Sequence, residues 1–203
     1  MLNEALKRGH TVNVLVSHKS SVKVKSELVD IHEGTPLNKF TLAESMNGCE
    51  AILSTLNISR ITDSPWANLR TSKDFLSASM EIILELARER HISRIIISTA
   101  WGVAETKKDI PFWFRLLINN SNLRFPYRDH ARQEEMLKYS GINWTIVRPS
   151  ILTDSESEKK IQVTLNNIPK PSLRISRKNV ALFMLDVLEK NLYRRECPVI
   201  SEK

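Results

Sequence analysis

Apolar and polar positions alternate along this chain with two periods that take turns. A stretch with apolar residues at helical spacing is followed by a one- or two-residue stop, and then by a short β-branched run. "LNEALKRG" precedes "HTVNVLVS", "FTLAESMNG" precedes "CEAILSTL", "ASMEIILELARERH" precedes "ISRIIIST", and "RQEEMLKYSG" precedes "INWTIVRP". In three of these the stop is Gly9, Gly48 or Gly141, which takes the left-handed helix-ending conformation without a Cβ penalty; in the third unit His91 holds that place.

The runs Val14-Leu15-Val16, Ala51-Ile52-Leu53, Ile95-Ile96-Ile97 and Trp144-Thr145-Ile146-Val147 are almost continuously apolar. Such strands are buried on both faces, which is the habit of a parallel sheet covered by helices. Helices alternating with them predict a doubly wound α/β fold. A further strand is expected at Val29–Glu33. The longest helix is expected in "NLRTSKDFLSASMEIILELARERH", and a late one in "SRKNVALFMLDVLEK" starts near Ser176 or Asn179. The most polar stretch, residues 154–162, reads as an exposed loop. No linker or second core is visible, so residues 1–203 read as one domain.

Composition narrows the class. A hydrophobic content of 41% and a charged content of 26% suit a packed core and argue against disorder. No apolar run approaches the roughly 18–20 residues of a membrane span, and the start has no signal-peptide core, so the expected location is cytoplasmic and no membrane partner is expected. Cys49 and Cys197 lack metal-like spacing and read as reduced thiols. The net charge of +7 comes from scattered basic residues without a recognition motif, which argues against nucleic acid.

In such folds ligands bind just beyond the carboxyl ends of the strands. That rule selects Ser17-His18-Lys19, Gly34-Thr35-Pro36, Thr55-Leu56-Asn57, Ser98-Thr99-Ala100 and Arg148-Pro149-Ser150. His130 in "DHARQEE" adds a side chain that titrates near neutrality, with Glu134 one helical turn away. Polar residues also cap strand ends for purely structural reasons, so each of these has a second reading.

The blocks "LKRGHTVNVLV", "GCEAILSTLN", "RIIISTAWGV", "DHARQEEMLKYSGINWTIVRPSILTD" and "ISRKNVALFMLDVLE" resemble, in order, the atypical short-chain dehydrogenases/reductases. The resemblance is to the NAD(P)H-binding, NmrA-like branch that includes flavin reductase/biliverdin-IXβ reductase. It implies a Rossmann-like fold, NADP or NAD as cofactor, and a small acceptor such as a flavin or quinone, and it leaves room for a homodimer. That family opens with a strand and a Gly-x-x-Gly-x-x-Gly loop that holds the cofactor pyrophosphate. The five glycines here are Gly9, Gly34, Gly48, Gly102 and Gly141, no two within six residues, so the loop is absent. Relative to the family the chain is N-terminally truncated and begins inside the first helix. The strand in question is central in the family's sheet, so the segments at 11–17 and 51–56 are expected to lack a shared neighbour, and binding of the cofactor is expected to be weak.

Carried over residue by residue, the resemblance sets Ser17, His18 and Lys19 against the adenosine ribose or its 2′-phosphate, the other reading being a solvated basic turn. Thr35 and Pro36 lie near the adenine, with Thr35 where relatives carry an acid. Thr55, Leu56 and Asn57 pass beneath the cofactor. Ser98 and Thr99 face the nicotinamide and, with His130, form the catalytic set, assisting proton transfer to the acceptor. Arg148, Pro149 and Ser150 approach the carboxamide, with Arg148 equally readable as an ion-pair residue. The family's catalytic tyrosine falls at Pro126, one residue from Tyr127, so the usual dyad is not intact; a non-catalytic NAD(P)-sensing or protein-interaction role is the other reading. Phe112, Trp113 and Trp101 read as a hydrophobic lid or core, and no metal is expected.

Overall fold

The computed structural model describes residues 1–156 and 159–203. Helix α1 (Leu2–Lys7) feeds strand β1 (Val12–Val16), which pairs in parallel with β2 (Val29–Glu33). Helix α2 (Lys39–Ser45) leads to β3 (Ala51–Ser54), α3 (Phe75–Glu89) to β4 (Arg94–Ser98), and α4 (Phe112–Asn119) and α5 (Arg124–Lys138) to β5 (Asn143–Pro149). Short strands β6 (Ile151–Thr153), β7 (Ile161–Thr164) and β8 (Arg174–Ser176) precede α6 (Arg177–Glu189) and β9 (Val199–Glu202). Among the described residues no helix is long and apolar enough to cross a membrane.

The helix-to-strand stops behave as their chemistry requires. Gly9, Gly48 and Gly141 have φ of 82°, 69° and 78°, and His91 enters the same left-handed region at φ 56°. The starts are set by side chains: Asn38 accepts from the amides of Phe40 and Thr41 at the head of α2, and Ser176 accepts from Asn179 N at the head of α6.

The main sheet runs β3-β4-β5-β9-β7, parallel except for β7, which pairs antiparallel with β9. Helices cover both faces, as a doubly wound α/β fold requires. On one face Leu42 and Met46 near α2, Met80, Ile83 and Leu86 of α3 and Leu137 of α5 pack against Ile95, Ile97 and Ile146. On the other, Val180, Phe183, Met184 and Val187 of α6 pack against Ile96, Val147 and Ile200. Alternate residues of β4 thus enter opposite cores, and Ile95, Ile96 and Ile97 are all 0% exposed. Each contributes about 1.5–3 kcal/mol by burial, so β4 is the axis of the fold.

Strands β1 and β2 form a separate two-stranded sheet, and no ladder joins β1 to β3. The strands at 11–17 and 51–56 therefore do lack a shared neighbour, and the sheet has not closed over the interval. The polar stretch 154–162 is only in part a loop: Ile161 and Gln162 already belong to β7, while residues 157 and 158 lie outside the described residues. β7 and β9 at the far edge were not legible as strands; their pairing, Thr164 opposite Val199 through Ile161 opposite Glu202, is a long-range contact with little local signal.

Candidate functional site at the strand ends

The register sets Ser54 opposite Ile97 and Ser98 opposite Val147, so β3, β4 and β5 end level. Just beyond them lie Thr55 and Asn57, both exposed, half-buried Ser98, and buried Thr99, Pro149 and Ser150. The amide of Thr99 donates to Val147 O at 2.9 Å and that of Trp101 to Pro149 O at 2.9 Å, which fixes the two ends to each other. The Ser150 hydroxyl is buried without a hydrogen-bond partner among the described residues, whereas its amide donates to Ile200 O. The Asn57 side chain accepts from Ile58 N at 2.8 Å and so shapes the turn after β3.

Ser17, His18 and Lys19 lie beyond β1, exposed, in a turn tied down by Lys19 N donating to Glu33 Oε2 at 2.8 Å. Thr35 Oγ1 accepts from Leu37 N, which makes it a turn former, and Pro36 is buried beside it. These five residues stand at the ends of the β1–β2 sheet and are not joined by any ladder to the ends of β3–β5. The structure thus brings Ser98, Thr99, Pro149 and Ser150 together and sets the β1–β2 group apart.

Of the two readings of Arg148, the structure shows the ion pair. The Arg148 side chain does not reach out to a carboxamide; it is 1% exposed and fully engaged. Nε donates to Glu134 Oε1 at 3.1 Å, one terminal nitrogen to Glu105 Oε1 at 2.6 Å, and the other to both Glu134 Oε2 at 2.5 Å and Glu105 Oε2 at 3.2 Å. Burial works against the guanidinium charge, but the Glu134 and Glu105 hydrogen bonds overcome it and raise its pKa. The same pairing, against the opposing effect of desolvation, holds the Glu105 carboxyl down at about 2. Thr99 Oγ1 donates to Glu134 Oε1 at 2.8 Å, so this hydroxyl is committed to the same cluster. Glu134 is thereby bound to Arg148 and Thr99, while His130 one turn before it meets Gln133. The partner of Glu134 sits on the next strand, which helical spacing does not reveal.

His130 is buried in α5, with Nδ1 3.3 Å from Gln133 Oε1. Burial lowers its pKa, against opposing contributions from Gln133, Glu134 and Asp129, so the imidazole is held neutral. Beside it, buried Asp129 accepts from Leu76 N at 2.7 Å, Ser77 N at 3.3 Å and the Ser77 hydroxyl at 2.6 Å. A residue of α5 thus caps α3. Tyr127 is packed against Gly102, whose φ of 100° and crowded surroundings (Ile110 and Tyr127 atoms 3.0–3.2 Å from a would-be Cβ) leave no room for a side chain. The Tyr127 phenol, raised in pKa by burial, reaches Trp101 O at 3.4 Å. Trp101 is core, while Phe112 and Trp113 lie on the exposed side of α4.

The helix N-termini beyond these strand ends offer little to a phosphate. Asn38 and Asp129 already occupy the first amides of α2 and α3, and Gly102, in a turn just before a short 3-10 helix (Ala104–Lys108), donates its amide to Thr106 Oγ1 at 2.9 Å. At these strand ends the Ser150 hydroxyl and the Trp101 indole nitrogen are buried without partners among the described residues, while the first amides of α2 and α3 are not free for a pyrophosphate. A cavity of about 540 Å³ lies elsewhere, beside β9 and β7, between Trp101, Glu105, Arg148, Asn166, Cys197 and Val199. It is not lined by Ser17, Thr55, Ser98 or Pro149, contrary to the expectation that a cofactor-sized pocket lies at those ends. The strand-end placement rests on topology.

Comparison with known proteins follows the same lines. A family model described as NAD(P)H-binding matches residues 1–191. No curated protein matches. Among solved structures, ChuY, an anaerobillin reductase from Escherichia coli, has a TM-score of 0.78 at 18% identity, over 99% of this chain and 89% of that one. A short-chain dehydrogenase/reductase from Veillonella parvula in complex with NADP gives 0.76 at 15% identity, over 99% and 88%. SP1627, a candidate NADH-flavin reductase from Streptococcus pneumoniae, gives 0.68 at 22% identity, over 100% and 92%. At these identities the likeness is one of fold, Rossmann-like and mostly parallel. With the family model spanning nearly all of its length, the chain belongs to the NAD(P)H-binding family.

Proposed function

We propose that residues 1–203 form a single, cytoplasmic, NAD(P)H-dependent reductase domain of the flavin- or quinone-reductase type. The observation that carries this reading is the grouping of Ser98, Ser150 and Pro149 at the level ends of β4 and β5, with an unpartnered buried hydroxyl among them. The reductase likeness of two of its structural neighbours supports it. When bound, the nicotinamide cofactor supplies the hydride; the protein positions the reactants. In this reading Ser150 hydrogen-bonds the carboxamide edge, and the half-buried Ser98 hydroxyl donates to the acceptor carbonyl. Neutral His130 holds the ribose or donates its ring N–H. Thr99, bound to Glu134, acts through the position of the β4 end and not as a free hydroxyl.

A second reading, an NAD(P)-sensing or interaction module, is favoured by one observation: the α2 and α3 N-termini are capped from within, so the donors a pyrophosphate needs are already spent. Titration with NADPH by calorimetry, followed by turnover assays with FMN and menadione, decides between them. The reductase reading expects NADPH oxidation with at least one acceptor, lowered by His130→Ala and by Ser98→Ala and unaffected by Cys49→Ser. Binding without turnover supports the sensor; neither binding nor turnover rejects both.

A further inference from the structure

The segment that leaves β3 and the head of α5 border a cavity of about 500 Å³ beside the start of α3, walled by Asn68, Thr71, Ser72, Lys73, Asn122 and Phe125. One side chain ties the two walls together. Asn122 donates through Nδ2 to Trp66 O at 2.9 Å and to Ala67 O at 3.1 Å, and its amide donates to Pro65 O at 2.9 Å. The segment is also bonded to itself. Ile61 N donates to Asn68 O at 3.0 Å, Arg70 N to Ser59 O at 2.8 Å, and Ser59 N to Thr71 Oγ1 at 3.0 Å.

The charge around this cavity has one sign. No acidic residue occurs in residues 64–73 or 110–128, which supply both walls and carry Arg70, Lys73, Arg115, Arg124 and Arg128. The exposed Lys73 ammonium lies 4.5 Å from the centroid of the Phe125 ring, and the Arg124 guanidinium lies 4.7 Å from the same centroid. Among the described residues neither cation meets a carboxylate, whereas Arg8, Lys39 and Arg148 each do. Asp74 follows Lys73 directly but pairs with neither. Two like charges on one ring repel each other, and a ring face is a weak partner at an exposed site. Neutral donors stand beside them. Thr71 Oγ1 accepts from Ser59 N and keeps its own proton to donate, and the Ser72 hydroxyl and Asn68 amide have no hydrogen-bond partner among the described residues.

We propose that this cavity holds the phosphate group of a phosphorylated acceptor, with Lys73 and Arg124 as its cations and Ser72, Thr71 and Asn68 as its neutral donors. The inference rests on the reductase reading above and narrows it, from flavins and quinones in general to an acceptor that carries a phosphate monoester. Donors arriving from several directions suit the three oxygens of a phosphate, while a planar carboxylate is matched by a single guanidinium fork. The cavity is larger than a bare phosphate and leaves Leu69 and the Phe125 ring for the organic body of the ligand. It also lies at the reactive end of the fold: β3 ends at Ser54 and feeds one wall, and His130 stands five residues beyond Phe125, about 7–8 Å along α5. All of these donors are side chains, so the capping of the α3 amides by Asp129 does not limit them.

The test measures binding to the full chain without NADPH, by quenching of flavin fluorescence. FMN and riboflavin share one ring system and differ by the phosphate. FMN is expected to bind about tenfold or more tightly than riboflavin, Lys73→Ala to remove most of that difference and Arg124→Ala to reduce it about threefold or more, with riboflavin affinity unchanged in both. Lys170→Ala, which removes an exposed cation that does not line the cavity, is expected to change neither affinity. Equal affinities for the two flavins, FMN affinity unchanged by both Lys73→Ala and Arg124→Ala, or no saturable binding of FMN would each overturn the proposal. A loss with Lys170→Ala as large as with Lys73→Ala would overturn it as well, because it would mark a general attraction to a basic surface. FMN that binds as expected but is not reduced by NADPH rejects the reductase reading and leaves the phosphate site in place.

Discussion

Arg148 on β5 and Glu134 on α5 meet as a two-point ion pair with each side chain only 1% exposed. Lys138 adds a second cation 3.8 Å from Glu134, and Glu105 a second anion on the guanidinium. A buried charge is tolerable when its partners satisfy it and costly when one is removed. Glu134→Ala is therefore expected to destabilise the fold by about 3–5 kcal/mol, read as a lower urea midpoint with an unchanged slope. Glu134→Gln, which keeps the acceptor for Thr99 but not the charge, is expected to fall between the two. A wild-type midpoint for Glu134→Ala would mean that Arg148 finds other partners.

Glu105 gives a pH dependence with a defined sign. Its folded pKa of about 2 lies below the ordinary carboxylate value, so its contribution is complete above roughly pH 4.5 and is lost as pH falls toward 2. Because its side chain is 59% exposed, screening limits that contribution to about 1 kcal/mol or less. Glu105→Gln is expected to flatten the acid limb of a stability–pH curve while lowering the plateau. An unchanged acid limb would assign it to other carboxylates.

His130 acts at higher pH. Its folded pKa is lowered by burial, so the unfolded chain binds the proton more readily. Stability is complete above about pH 6.5 and declines as pH falls below it. His130→Gln is expected to remove that decline below about pH 6.5, measured by thermal melts across the acid range.

Asp129 joins α5 to the start of α3 through three hydrogen bonds. Asp129→Ala leaves those groups without their cap and is expected to cost about 1–2 kcal/mol. Asp129→Asn, which still accepts through Oδ1, should recover part of the loss. The check is the difference between the two variants in chemical denaturation.

NADPH affinity of the 203-residue chain is expected to be weak. Two charge-assisted pyrophosphate bonds contribute about 1.5–3 kcal/mol each, and their absence lowers affinity by roughly a hundredfold or more. Grafting a β-strand and a Gly-x-x-Gly-x-x-Gly loop ahead of Met1 is expected to restore binding in the same calorimetric titration. Micromolar or tighter binding by the ungrafted chain would show that the phosphates are held elsewhere, and His18 and Lys19 would then be the first residues to vary.

The sequence by itself determined the elements that local chemistry controls. Period-3.6 and continuous apolar runs specified α3, α5, β1, β3, β4 and β5, because burial on one stripe or on both faces leaves a mark in the order of residues. The stops at Gly9, His91 and Gly141 and the cap at Ser176 were legible for the same reason, since each is set by one residue's conformational or hydrogen-bonding preference. Spacing also exposed the lack of a phosphate loop. What lies far apart in the chain was decided only in three dimensions. Arg148, readable as either a cofactor contact or an ion-pair residue, forms an ion pair in three dimensions, with Glu134 supplied by α5 and Glu105 by the segment after β4. Asp129 became the cap of a helix 53 residues away. Strand β9 and its antiparallel neighbour β7 pair residues about 35–41 positions apart, which no local pattern records. The open interval between β1 and β3 was legible from the family resemblance, whereas the absence of any ladder across it is a property of two edges that only the structure displays.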